Sequence, residues 1–377
     1  MPKTNSDRGV NGPECDQSDS PGSGAGGHDS GGVDGHLLGE VRHAADESAV
    51  SGALSAAAEQ ESGAVGTSRK ARVAAIASKR AQRDTTARRN RLATLASLLG
   101  DDSEVVWGGV RRQFELSGRA ALPTLMRAAA SESPRIRSRA RMIVHDREKT
   151  LALRRVLRYV TTRTSAAPLE LERALFLLAR YYEPKLDPRP FQRQLDTLAR
   201  GVEERAKDLG DPLQRAQAMV SYLGKELDYG GSSGGFHHPD NIHLHRVIER
   251  RAGMPLSLCA VYLLVGRRAG ISAACVPLPG HVMLRLHGNG SSIIVDPYHR
   301  GQLRTERDCR KYLEQNGLPM KAAWFGDAGD AVLFKRQVAN LARSAELRGL
   351  RRERRELMLL GRVLEPKSAV GSAAKGN

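Results

Sequence analysis

The sequence predicts an α+β protein that is mostly helical, and three observations carry that prediction. Apolar residues recur at three- and four-residue spacing through most of 101–228, the period of helices with one buried face. A run that is apolar on most sides, Leu256 to Arg268, reads as a central buried helix. Short β-branched segments with alternating pattern follow between Ala273 and Asp296, enough for a small antiparallel sheet packed on that helix.

Composition narrows the classes. The chain has 377 residues, 40% of them hydrophobic. No stretch approaches the ~20 apolar residues of a membrane span, so no membrane association is expected. Met1 to Val10 carries no apolar h-region, which argues against a secretory signal. Cys15, Cys259, Cys275 and Cys309 are scattered, form no CxxC pair and outline no disulfide framework, so a reducing cytoplasm is expected. The formal charge of +17 invites a nucleic-acid reading. Its densest part is Arg69 to Arg91, with nine basic residues against Asp84 alone. Many other arginines sit at solvent-face helical spacing, as in "RGLRRERRE", and aromatic interleaving for base stacking is missing.

Along the chain, residues 1–68 include "SPGSGAGGHDSGGVDGH", which buries too little apolar surface to offset ordering entropy, and disorder is predicted there. Residues 69–98 read as a basic, Ala-rich helix or linker. In 99–165, Val105, Val106, Val110 and Phe114 follow one helix face that Gly118 ends. Leu122, Leu125, Met126 and Ala129 line a second helix with Pro123 in its first turn, and Pro134 opens a third carrying Ile136, Ala140 and Ile143. Short turns between such helices give antiparallel, HEAT-like hairpins. "LELERALFLLARYYEPKLD" is an amphipathic helix stopped by Pro184, and Leu195, Leu198 and Val202 share one side of the next. Asp211 with Pro212 supplies an N-cap and first helical position. "YGGSSGGFHHPDN" is a flexible loop by composition. A helix to about Arg251 and a Gly-x-Pro break precede the apolar helix, which Gly270 ends.

The last two strand segments carry a geometric inference. "HVMLRL" (281–286) and "SSIIVD" (291–296) flank "HGNG", and a hairpin centred there sets His281 directly opposite Asp296. Facing residues of an antiparallel pair have Cβ atoms ~4.5–5.5 Å apart, so the imidazole would donate Nδ1–H to the carboxylate. A one-residue slip would put the two on opposite faces. "FHHPDNIHLH" offers His237, His238, His243 and His245 as metal ligands. An i,i+2 pair on a helix points to different faces and no cysteine is near, so no metal and no cofactor are expected. After Asp296, a short helix starts near Thr305 with Cys309 in it. Two helices broken near Gly349 then bury Ala339, Leu341, Ala342, Ala345, Leu357, Leu360 and Leu364.

From about Leu171 to Arg310 the sequence resembles the SirB-type proteins of the transglutaminase-like superfamily. The motifs are "PDN", "HRVIERRAGMPLSL", "RRAGI", "PLPGHVMLRL", "IIVDPYHRGQL" and "RDC". The resemblance implies a papain-like transglutaminase core, with His281 and Asp296 at the family's His and Asp positions. It also implies a cysteine nucleophile at the start of the buried helix, where this chain has Gly253-Met254-Pro255. Proline has no attacking atom. Ser257, in the helix's first turn, and Cys259, one turn deeper, are the remaining nucleophile candidates.

The expected organisation is a disordered region 1–68, a basic segment 69–98, a HEAT-like region 99–165 and a SirB-type domain 166–325. A tetratricopeptide-like hairpin 326–366 and a disordered tail 367–377 complete it. The expected function is protein or peptide binding by a catalytically degenerate module. The first alternative is an acyl-transfer or peptidase-like hydrolase using Ser257 or Cys259 with His281 and Asp296. The second is nucleic-acid association through residues 69–91.

Overall fold

A computed structural model describes residues 65–166, 168–232 and 234–365. The expected disordered opening, apart from its last few residues, lies outside the described residues together with Cys15, and so does the tail from 367. The described residues divide into two compact units, 65–140 and 141–365.

In the first unit, α1 (Val65–Ser97) begins within the stretch expected to lack structure and packs its C-terminal part on α2 (Glu104–Leu116) and α3 (Leu122–Ala128). The Ser103 side chain caps α2 by accepting from the Val106 N–H. Val110 and Phe114 are buried, but Val105 is 85% exposed and Met126 also faces solvent. The buried stripes are therefore narrower than the spacing implied. Arg139 ties the start of α4 (Pro134–Ala166) back by donating to the carbonyls of Leu99 and Asp101.

The second unit is mostly helical with a small sheet. α5 (Leu171–Tyr182) and α6 (Arg189–Ala206) are amphipathic, and α7 (Pro212–Ser221) starts at Asp211, whose carboxylate accepts from the Gln214 N–H at 3.0 Å. The loop read as flexible holds order. Its β1 (Gly230–Gly231) pairs in parallel with β2 (Ala252–Gly253), across α8 (Leu244–Arg250). α9 (Pro255–Arg268) is buried from Pro255 through Gly266 and is the centre of the core. The sheet of β3 (Ala273–Val276), β4 (Met283–His287), β5 (Ser292–Asp296) and β6 (Gln302–Arg304) runs in sequence order, each strand antiparallel to the next. α9 packs against β3 and β4.

α10 (Glu306–Gln315) opens with a capping box between Thr305 and Asp308. α11 (Asp330–Leu347) and α12 (Arg351–Val363) form an antiparallel pair turned at Gly349, whose φ of 70° suits glycine. Leu341, Ala345, Leu357, Leu360 and Leu364 are buried, whereas Ala339 is exposed. Both helices hold the pair to the rest: in α12, Glu353 pairs with Lys149 and Glu356 accepts from the Tyr181 hydroxyl. Asp330 accepts from the Leu171 N–H and pairs with Arg267, and Gln337 reaches the start of α9.

Candidate functional site

Asp296 ends β5 and caps the single 3-10 turn Pro297–His299. Pro297 suits the first position of that turn because its missing N–H would be unpaired there. The carboxylate is 1% exposed. Its Oδ1 accepts from the Tyr298 N–H at 3.0 Å, from the His299 N–H at 3.4 Å and from His281 Nε2 at 3.0 Å. Oδ2 accepts from His299 Nδ1 at 2.7 Å, and Arg304 Nε lies 3.8 Å away. Burial works against the charged form, but the hydrogen bonds and charge of His281 and His299 outweigh it. Asp296 is held well below the ordinary carboxylate range.

His281 follows Pro279 and Gly280, whose φ of +70° makes the turn that lifts the imidazole over the sheet end. The hairpin differs from the one the sequence suggested. Leu284 faces Val295 and His287 faces Ser292, so the turn is 288–291 and Met283, not His281, falls opposite Asp296. The offset is two residues, which keeps the same face. His281 reaches the carboxylate from beyond the strand end, and it does so through Nε2 rather than Nδ1. With Nε2–H donated, the neutral ring keeps its Nδ1 lone pair as the available base.

Neither candidate nucleophile is presented to solvent. Pro255 is the first residue of α9, after Met254 at the cap position. Ser257 is 1% exposed, donates to the Ile242 carbonyl at 2.9 Å and accepts from Gln337 Nε2 at 2.9 Å. Cys259 is fully buried and its Sγ–H donates to the carbonyl of Val282, the residue after His281, at 3.2 Å. Burial, reinforced by the neighbouring Cys275, pushes the Cys259 thiol far above its ordinary range, opposite to what a nucleophile needs. Cys275 and Cys309 are buried as well.

His281, Asp296 and His299 place ligand atoms within 4.8 Å of one another, the spacing of a metal-binding trio. The carboxylate already accepts from four donors, with the Arg304 charge beside Oδ2, so its own hydrogen bonds satisfy it without a cation. Among the described residues His243 and His245 join no ligand set, but they do lie together, with ring centroids 5.8 Å apart. The expected divergence fails because His243 is the extended N-cap residue rather than part of α8. Both rings are buried, His243 stacking on Tyr182 and His245 edge-on to Phe191.

The sequence reading missed an aromatic surface around His281. Tyr298 and Tyr312 lie 5.9 and 6.0 Å from its ring, and Phe236 lies 6.4 Å from Tyr298. All four are only partly buried, in a chain with 4% aromatic residues. Close backbone approach supports the arrangement. A Cβ at Gly231 would overlap the Tyr298 ring, and one at Gly224 would strike the Arg300 carbonyl. Asp228, Arg251 and Arg300 adopt left-handed backbone around this edge, with Arg300 paired to Asp228. The "DPYH" spacing was an available signal for His299 alone, since an Asp cap with Pro after it brings the third residue's ring back to the carboxylate.

Residues 189–337 match the family described as the transglutaminase-like superfamily. A UPF0162 protein of Xylella fastidiosa is 31% identical over 144 residues, 38% of this chain and 51% of its own. The UPF0162 protein PA3419 of Pseudomonas aeruginosa is 28% identical over 184 residues, 46% of this chain and 64% of its own. F-box only protein 21 of Homo sapiens is 26% identical over 145 residues, 36% of this chain and 23% of its own. The chain spans about half the length of the curated Xylella relatives it matches. No solved structure matches. The similarity thus supports a transglutaminase-like domain within a mostly helical α+β chain. Among the described residues no helix is long and apolar enough to cross a membrane.

Proposed function

We propose that the transglutaminase-like domain is a catalytically degenerate module of SirB type, papain-like in arrangement, that binds protein or peptide at the aromatic surface around His281. Its consequence is regulatory or scaffolding, in the cytoplasm. The observation that carries this reading is the start of α9: proline stands where an attacking atom is required, and the hydroxyl and thiol beyond it are buried and hydrogen-bonded. Partly exposed Phe236, Tyr298 and Tyr312 supply rigid contact area for an apolar or aromatic side chain, and the His281 Nδ1 lone pair accepts a backbone N–H. A similar segment occupying 23% of a protein named for its F-box fits a module used in more than one setting. In the same proposal, residues 166–325 are the SirB-type domain, 326–366 a tetratricopeptide-like pair that caps it, and 99–165 a HEAT-like region.

The rival is an acyl hydrolase or transferase in which Ser257 or Cys259 attacks an acyl carbon, His281 carries the proton and Asp296 orients the ring. Site-resolved mass spectrometry of the folded chain, after exposure to iodoacetamide and to a fluorophosphonate, separates the two. The degenerate module leaves Ser257 and Cys259 unmodified. An adduct on either residue that disappears in His281→Ala overturns the proposal. The binding half is tested with a displayed heptapeptide library. Enriched peptides should bind the parent and lose at least tenfold in affinity with Tyr298→Ala, and equal affinity for that variant removes the aromatic surface from the account.

A further inference from the structure

The N-terminal part of α1 takes no share in the transglutaminase-like domain and lies outside the residues that match the superfamily. Every residue from Arg72 to Arg91 is exposed, and burial begins only at Leu92, where the helix meets its own unit. Among the described residues these twenty residues of helix, about 30 Å at 1.5 Å per residue, bury no side chain, and near their end Arg88 donates to the Ser117 carbonyl at 3.2 Å. They carry Arg72, Lys79, Arg80, Arg83, Arg88, Arg89 and Arg91 against Asp84 alone. A helix without a packed face is marginal in water, and like charges spaced along it oppose its formation further. A partner of opposite charge removes both penalties.

The charges are also arranged. At 3.6 residues per turn, Arg72, Lys79, Arg80, Arg83 and Arg91 fall within an arc of about 120°. Arginine predominates, and its planar fork matches phosphate oxygens. We propose that this stretch of α1 is a binding surface for double-stranded DNA, lying in the major groove with its arc of arginines on the phosphates. Ala74, Ala75, Ala77, Ala81 and Ala87 keep the helix slim, and a ~12 Å wide B-form major groove admits a helix of ~10–12 Å diameter. The narrow, deep major groove of duplex RNA does not. Single strands need aromatic platforms, and α1 contains no aromatic residue. A bilayer surface needs an apolar face, and Val73 and Ile76 are the only large apolar residues exposed on this stretch. Contacts are to phosphate, so binding is independent of base sequence.

The test is fluorescence anisotropy of a labelled 20-base-pair DNA duplex with the full chain between 50 and 200 mM NaCl. Five neutralised phosphates give a slope of log K against log salt of about −4.5, an affinity loss of about 500-fold over that range. Arg80→Glu/Arg83→Glu, its helicity checked by circular dichroism, should bind at least tenfold more weakly with a slope of about −2.7. The inference is overturned if no binding occurs at 50 mM NaCl, or if the variant keeps the parent's affinity and slope. It is equally overturned by preference for single strands or duplex RNA of the same length, or by binding to phosphatidylglycerol vesicles that the duplex does not displace.

Discussion

Acidification tests the burial of His243 against a worked magnitude. The ring is 3% exposed, stacked on Tyr182, and its Nε2 has no hydrogen-bond partner. Burial, then the positive potential of His245, Arg348, Arg246 and Lys149, lowers its pKa from 6.5 to about 3. Because the folded value lies below the unfolded one, the unfolded chain binds the proton first. The stabilisation is full above about pH 6.5, falls as pH drops, and is gone near pH 3. Between pH 7 and pH 5 the cost is about 2 kcal/mol. Burial lowers the pKa of His245 too, so it acts in the same direction, though the Glu183 carboxylate opposes the shift. His243→Leu keeps an apolar filler in the ring's place and removes the titration. Urea unfolding followed by circular dichroism at both pH values should show the parent losing about 2 kcal/mol more than the variant. Equal losses would refute the claim that this imidazole is buried neutral.

Three further outcomes follow from the site. Asp296→Ala strands two imidazoles and two backbone N–H groups and should cost about 3–5 kcal/mol in urea unfolding, whereas half-exposed His299→Ala should cost under about 1 kcal/mol. Ser257→Ala removes a buried hydroxyl set between the Ile242 carbonyl and Gln337, and a loss of about 1–2 kcal/mol with unchanged peptide binding marks it as structural. Gly231→Ala drives a methyl group into the Tyr298 ring, so affinity for library-selected peptides should fall while the melting temperature moves by only a few degrees.

Local chemistry was the most legible part of the sequence. Asp211 and Thr305 cap their helices as their side chains dictate, since a cap is satisfied by residues two or three positions away. The apolar run 256–268 forms the central helix because no face of it suits water. Faces that depend on a neighbour were less legible: Val105, Met126 and Ala339 have the right spacing but no partner surface. The hairpin register was two residues out, yet His281 and Asp296 still met, because an even offset preserves the face and the Pro-Gly turn supplies the remaining reach. The aromatic surface was invisible because Phe236, Tyr298 and Tyr312 come from separate segments of the chain, and only the tertiary fold brings them to one histidine.

The His281–Asp296 pair has an energetic role independent of chemistry. Asp296 terminates a strand, caps the next turn and receives both imidazoles while almost wholly out of water. Deleting it uncovers four donors at once, and breaking a buried, paired charge costs several kcal/mol out of a total stability of about 5–15 kcal/mol. At the helix start the balance runs the other way. A reactive thiol held there gains nothing for the fold, while proline at the first helical position has its φ set in advance and no N–H to leave unpaired. On the reading proposed above, fold energetics alone account for the carboxylate, so the pair by itself does not identify an enzyme. Under that proposal the discriminating position is the head of α9, where this chain has Pro255.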